Sequence, residues 1–140
     1  MINTCNECNS NRTIVVEENK RKFILQNNSL NMINKVRVDG CYINNGAKCD
    51  YLIELINSNI VKTVFYIELK GSDINHAIEQ IESTLQHCRQ VHNNIDKECY
   101  IVLSRFPSAG TSSQVLKKKF KQRNNGIPLY IDSKVKRVIR

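Results

Sequence analysis

Tryptophan is absent from this chain, proline occurs twice and glycine five times in 140 residues, and no apolar run approaches the roughly 18 to 20 residues a membrane span needs. Scarce Pro and Gly, beside 41% hydrophobic and 24% charged residues, exclude collagen-like, low-complexity and disordered classes. The opening MINTCNECNSNR lacks the apolar centre of a signal peptide, so a cytoplasmic protein without membrane partners is expected. The length suits one core, and residues 1–140 are read as a single domain.

Six cysteines would permit disulfides in a secreted chain, but without an export signal reduced thiols are the expectation. Cys5 and Cys8 form a CxxC, yet a tetrahedral zinc site needs two further ligands and no second CxxC exists. The expected reading is a flexible N-terminus carrying two ordinary thiols, with the other cysteines as buried fillers.

The net charge of +8 is unevenly placed. Residues 1–110 hold 12 Lys/Arg and 12 Asp/Glu, whereas residues 111–140 hold 9 Lys/Arg against Asp132 alone. A concentrated positive field attracts polyanions through counterion release, which makes nucleic acid the leading partner. Lys117, Lys118, Lys119, Lys121 and Arg123 are the candidate phosphate contacts, on a helix that turns Leu116 and Phe120 inward. A solvated basic face that only aids solubility is the competing reading.

Periodicity supplies the elements. Residues 13–17 (TIVVE) and 22–26 (KFILQ) suggest a hairpin, residues 27–34 are Asn-rich and ambiguous, and residues 35–43 read as a strand. Strands follow at 48–55 and 61–69, joined by the turn-forming Asn57-Ser58-Asn59. Residues 73–92 place Ile74, Ala77, Ile78, Ile81, Leu85, Cys88 and Val91 at helical spacing, capped by Ser72 or Asp73. A short buried strand at 99–103, a basic helix at 111–122 and an edge strand at 129–131 complete the pattern, and residues 134–140 alternate apolar and basic positions.

Charge interrupts both central strands. Residues two apart share a strand face at a spacing of about 6.6 Å, so Glu68 and Lys70 point one way while Phe65, Ile67 and Leu69 pack the other. Asp50 and Glu54 likewise oppose Tyr51, Ile53 and Leu55. If these strands pair, Asp50 and Glu68 approach, and two carboxylates about 4 Å apart repel by roughly 4 kcal/mol at an effective dielectric near 20. A divalent cation removes that repulsion, and oxygen ligands of this kind suit Mg²⁺ or Mn²⁺. Glu54 is expected to be a surface acid at a strand end and Asp39 a turn residue. His76, Gln80, Thr84 and His87 line one polar flank of the helix, of which Gln80 is the candidate for the site.

Asp50 on one strand, Glu68-Leu69-Lys70 eighteen residues later on the next, and a following helix with Gln80 resemble the core of the PD-(D/E)XK nuclease superfamily. The resemblance covers residues 35–103, with Cys49 standing where the motif's proline would be. It implies an α/β fold with a restriction endonuclease-like αβββαβ core, a mixed sheet flanked by helices, here preceded by the N-terminal β-hairpin. It further implies metal held by Asp50, Glu68 and the Leu69 carbonyl, Lys70 serving the attacking water, and Gln80 as an auxiliary polar residue. The N-terminal acid such folds draw from a first helix has no clear counterpart, since Glu17 and Glu18 fall in the hairpin.

The expected function is therefore Mg²⁺-dependent hydrolysis of nucleic-acid phosphodiesters, DNA before RNA because the resembled superfamily mostly cuts DNA. Phage defence, repair or mobile-element biology are the settings of small members of that kind. A homodimer would let two sites address both strands, and a partner protein is the other way to gain selectivity. The alternative is a non-catalytic nucleic-acid-binding or assembly subunit that keeps the nuclease-like fold.

Overall fold

The computed structural model describes residues 1–107, 110 and 112–140. Its elements are β1 (Asn6–Asn9), β2 (Thr13–Glu18), β3 (Arg21–Gln26), β4 (Met32–Arg37), β5 (Tyr51–Asn57), β6 (Ile60–Lys70), α1 (Ile74–His87), β7 (Asp96–Leu103), α2 (Ser113–Arg123), β8 (Leu129–Ser133) and β9 (Val135–Ile139). Six strands form a mixed sheet in the order β1-β4-β5-β6-β7-β8, and β2-β3-β9 form a second sheet. Strands β4, β5 and β6 are antiparallel neighbours, whereas β6, β7 and β8 run parallel. Direction therefore changes at β6, the strand that carries Glu68 and Lys70.

The expected alternation along the central strands sorts their side chains to two different coverings. On one face Val36, Leu52, Val64, Tyr66 and Ile101 pack under α1 through Ile74, Ala77, Ile78 and Ile81, and Phe120 of α2 joins them. Asp73 caps α1 by accepting from the His76 amide at 3.0 Å. On the other face Ile33, Ile53, Phe65, Ile67 and Val102 meet Ile14, Val16, Phe23, Leu25 and Val138 of the small sheet.

An α/β fold with a mixed sheet and two helices is thus present, but both helices cover the same face. No helix precedes β4 among the described residues, and the opposite face is closed by strands. The cause is local: Ile14 and Val16, then Phe23 and Leu25, repeat every second residue, which suits a pleated layer and not a helix. The expected hairpin is β2–β3, and β9 extends it by parallel pairing from Lys22↔Val135 to Gln26↔Ile139.

Other expectations change. The N-terminus is not a loose arm: β1 pairs with β4, and Cys5 is bonded to Cys41 in a disulfide, so these two thiols are not reduced. The strand expected at 35–43 begins earlier, at Met32, and ends at Arg37. Helix α1 stops at His87 instead of running to residue 92, and Val91 is exposed while His92 turns inward. The basic helix spans Ser113–Arg123 with Ser112 as its cap, and Thr111, where it was expected to start, lies outside the described residues. Among the described residues no helix is long and apolar enough to cross a membrane.

Candidate active site

Asp50 immediately precedes β5, and its amide donates to Ile67 O at 3.2 Å, so it pairs beside the end of β6. Its Oδ2 accepts from the Leu69 amide at 2.7 Å. Asp50 and Glu68 therefore lie on the same side of the sheet end, close enough for each to perturb the other's charge. Lys70 follows on that face, half-buried, and its charge draws the Glu68 carboxyl downward.

The polar flank of α1 acts on the same corner. Gln80 Nε2 donates to Lys48 O at 3.1 Å. Thr84 Oγ1 accepts from the Cys49 amide at 2.8 Å and donates to Gln80 O at 2.9 Å. Part of the flank is thus a clamp on the two residues that deliver Asp50. His76 stays outside it, half exposed and 3.9 Å from Glu79.

The site's electrostatics are those of an acid pair short of positive charge. Burial raises the Glu68 carboxyl first, the neighbouring Asp50 charge second, and together they push it up to about 9. Burial also raises Asp50, against the lowering effect of the Leu69 amide, and the charges of Glu18 and Asp39 add to the rise. Glu68 is 2% exposed and its Oε1 has no hydrogen-bond partner, and Gln80 Oε1 is likewise buried and unpartnered. An unpartnered carboxylate oxygen in a mutually repelling acid pair fits a small divalent cation. Among the described residues, no three His, Cys, Asp or Glu side chains form a ready-made cage.

The structure brings Asp50, Glu68, Leu69 and Lys70 together and ties Gln80 to the Asp50 segment through Lys48 O, but leaves the basic helix apart. Helix α2 packs beside α1, where Arg123 grips Glu82 through Nε at 2.9 Å and Nη2 at 3.0 Å. Helix α1 faces α2 through Ile78 and Glu82 and faces the Asp50 loop through Gln80 and Thr84, so it stands between the two. Lys118, Lys119 and Lys121 are exposed on the far side and Lys117 is half-buried. A cleft of about 1030 Å³ opens at the other end of the sheet, lined by Arg89, Asp96, Lys97 and Asn125, and contains none of the acid pair.

Glu54 is not a surface acid. It is fully buried, with Oε1 accepting from the Ile2 amide at 3.0 Å and Asn34 Nδ2 at 2.7 Å, and Oε2 2.6 Å from His92 Nε2. Tyr66 bonds the other ring nitrogen of His92. Burial pushes Glu54 up, but these hydrogen bonds outweigh it and leave the carboxyl below its usual range. This network has no opening to solvent and holds the N-terminus onto the sheet.

The hairpin supplies groups that its local sequence does not mark as functional. Glu18 at its tip is close enough for its charge to reach Asp50, although it comes from a strand and not from a first helix. Arg21, opposite Glu18, is 9% exposed, and its Nη1 donates to Ser104 Oγ at 2.8 Å. Compared with protein-family models, characterised proteins and solved structures, the chain matches none.

Proposed function

We propose that the chain is a metal-dependent nuclease that hydrolyses DNA phosphodiester bonds. The observation carrying this reading is the Asp50–Glu68 pair at the end of β6, with Glu68 buried, its Oε1 unpartnered, Asp50 half-buried and Lys70 on the same face. The run β4-β5-β6-α1-β7, antiparallel then parallel across a helical crossover, supports it as the restriction endonuclease-like part of the chain. Asp50, Glu68 and the Leu69 carbonyl would hold Mg²⁺ or Mn²⁺, which when bound polarises a phosphate and lowers the pKa of water.

The chain's own groups have separable tasks. Lys70 offers an ammonium donor to the attacking water or to the phosphate oxygens. Leu69 N fixes the Asp50 carboxylate, and Gln80 and Thr84 hold residues 48 and 49 so that Asp50 stays in reach. Hydrolysis adds water across one P–O ester bond and leaves a phosphate monoester and an alcohol.

The absence of a third acid from the corner, among the described residues, favours a second reading: a subunit that binds nucleic acid through this fold without cutting it. One experiment separates them. Purified protein is incubated with single-stranded, duplex and branched DNA in Mg²⁺, Mn²⁺ or EDTA, beside Asp50→Ala and Lys70→Ala variants whose folding is verified by circular dichroism. Metal-dependent cleavage lost in both variants supports the nuclease. Binding without cleavage under either metal ends it and leaves the second reading.

A further inference from the structure

Four segments distant in sequence meet at the site end of the sheet. The Ser104 amide donates to Lys70 O at 3.2 Å and to Gly71 O at 2.9 Å. The Lys134 amide donates to Leu103 O at 2.7 Å, and Lys134 O accepts from the Lys22 amide at 2.9 Å. The ends of β6 and β7, the β8–β9 turn and the β2–β3 tip are thereby fastened together. They place the backbones of Lys20, Arg21, Lys70, Arg105 and Lys134 at the same end of the sheet, here called the rim, and none of these five has a carboxylate within ion-pair distance among the described residues. Lys20, Arg105 and Lys134 are exposed. Nothing in the local sequence marks this cluster, because no two of its members except Lys20 and Arg21 are neighbours in the chain.

Arg21 is the unusual member. A guanidinium this deeply buried is ordinarily matched by an acid, since leaving it unmatched costs several kcal/mol. Arg21 instead gives one hydrogen bond to a hydroxyl, and its Nε is buried with no partner. Ser104 is exposed, and with its Oγ accepting from Arg21 its own proton remains to be donated. A planar donor fork beside a free hydroxyl, among amines, is the donor set that a phosphate oxygen pair satisfies.

We propose that Arg21 and Ser104 seat a backbone phosphate at the sheet end where β6 finishes in Lys70, and that Lys20, Arg105 and Lys134 take the flanking phosphates. Nucleic acid then crosses the C-terminal ends of β6 and β7 and does not lie along α2. This inference rests on the nuclease reading for the identity of the polyanion, but it concerns binding and is separable from cleavage. The geometry favours it over α2 because the rim adjoins Asp50 and Glu68, whereas α1 separates α2 from them and Arg123 is already held by Glu82.

The test is fluorescence anisotropy of labelled duplex DNA in EDTA over a salt series, where no cleavage intervenes. The exposed triple variant Lys20→Gln/Arg105→Gln/Lys134→Gln is the deciding one, since buried Arg21→Gln alone could unfold the rim. Ser104→Ala and Arg21→Lys report on the seat, and Lys117→Gln/Lys118→Gln/Lys119→Gln is the comparison. The rim triple is expected to lose about tenfold or more in affinity, with the salt slope falling by about one for each charge removed. The α2 triple is expected to change little. The reverse ranking overturns the inference while leaving Mg²⁺-dependent cleavage by the wild type, and hence the nuclease reading, untouched. A wild type that cuts DNA yet keeps its affinity in the rim triple overturns it too, and a wild type that neither binds nor cuts overturns both.

Discussion

The Leu69 amide donates to Asp50 Oδ2 at 2.7 Å, so the residue between Glu68 and Lys70 fixes the position of the other acid. A main-chain donor cannot move independently of its strand. Asp50 is therefore held against Glu68 by the same three residues that supply Glu68 and Lys70, and their spacing is set by the pleat.

Glu68 gives this pairing a pH signature. Burial and the Asp50 charge push its carboxyl from about 4.5 up to about 9 in the folded chain, so between those values the folded state is expected to retain a proton the unfolded state has lost. Stability contributed by this group is present at low pH and falls as pH rises through that window. Glu68→Gln removes the dependence, and its stability relative to wild type is expected to climb by at most about 1.4 kcal/mol per pH unit, the slope for one proton. Urea denaturation across the pH range reads this directly, and parallel curves for the two proteins would contradict it.

Divalent metal is expected to reverse that signature. Mg²⁺ or Mn²⁺ binding to the folded state raises the midpoint by mass action, by about 2.7 kcal/mol at a hundredfold excess over the dissociation constant. Because the ion displaces the Glu68 proton, affinity rises with pH. Isothermal calorimetry should record proton release that vanishes in Asp50→Asn/Glu68→Gln, and a midpoint indifferent to metal in the wild type would refute the site.

Thr84 offers a test of positioning. Thr84→Val removes the acceptor for the buried Cys49 amide and should cost about 1–3 kcal/mol. Cleavage measured well below the melting temperature should fall by about tenfold to a hundredfold in rate, because Asp50 loses its register. A variant equally destabilised elsewhere, such as Ile14→Val in the small sheet, should keep its rate.

The Glu54–His92 pair is structural, and its loss should be severe. His92→Leu strands a buried carboxylate and is expected to cost about 3–5 kcal/mol. Since Glu54 titrates below its usual range, its contribution is present above the ordinary carboxylate pKa and is lost as pH falls through the lower folded value. The gap between wild type and Glu54→Gln should accordingly be widest near neutrality and close in acid.

The Cys5–Cys41 disulfide encloses a loop with a sequence separation of 36, for which about 2–4 kcal/mol of stabilisation is typical. Thiol titration of the folded protein should register Cys8, the one exposed free cysteine, and denaturation without reductant should add Cys49, Cys88 and Cys99. Registering six would show the bond absent.

The layout of the candidate acid pair was legible because it depends on short-range periodicity. Alternation placed Asp50, Glu68 and Lys70 on one face of adjacent strands, and the helix carrying Gln80 followed from its apolar stripe. What depends on distant pairing was not legible. Glu54 looks like any strand-end acid until His92, beyond the early end of α1, turns in to meet it. Cys5 and Cys41 lack a mutual signal because their approach is set by β1 pairing with β4. Arg21 reads as a hairpin-turn residue, since nothing near it in sequence announces Ser104. Local charge density singled out α2, whereas the rim cluster is assembled from four separated segments.

The parallel pairing of β3 with β9 joins Lys22 to Val135, about as far apart as any contact in the chain. Closing so long a loop before any contact rewards it is slow, which delays this layer behind the locally wired β5-β6-α1 unit. The β2–β3 hairpin itself closes locally, so only its cover by β9 waits on that long loop. A nascent chain would therefore form the β2–β3 hairpin early and complete this layer only when residues 135–139 have been made.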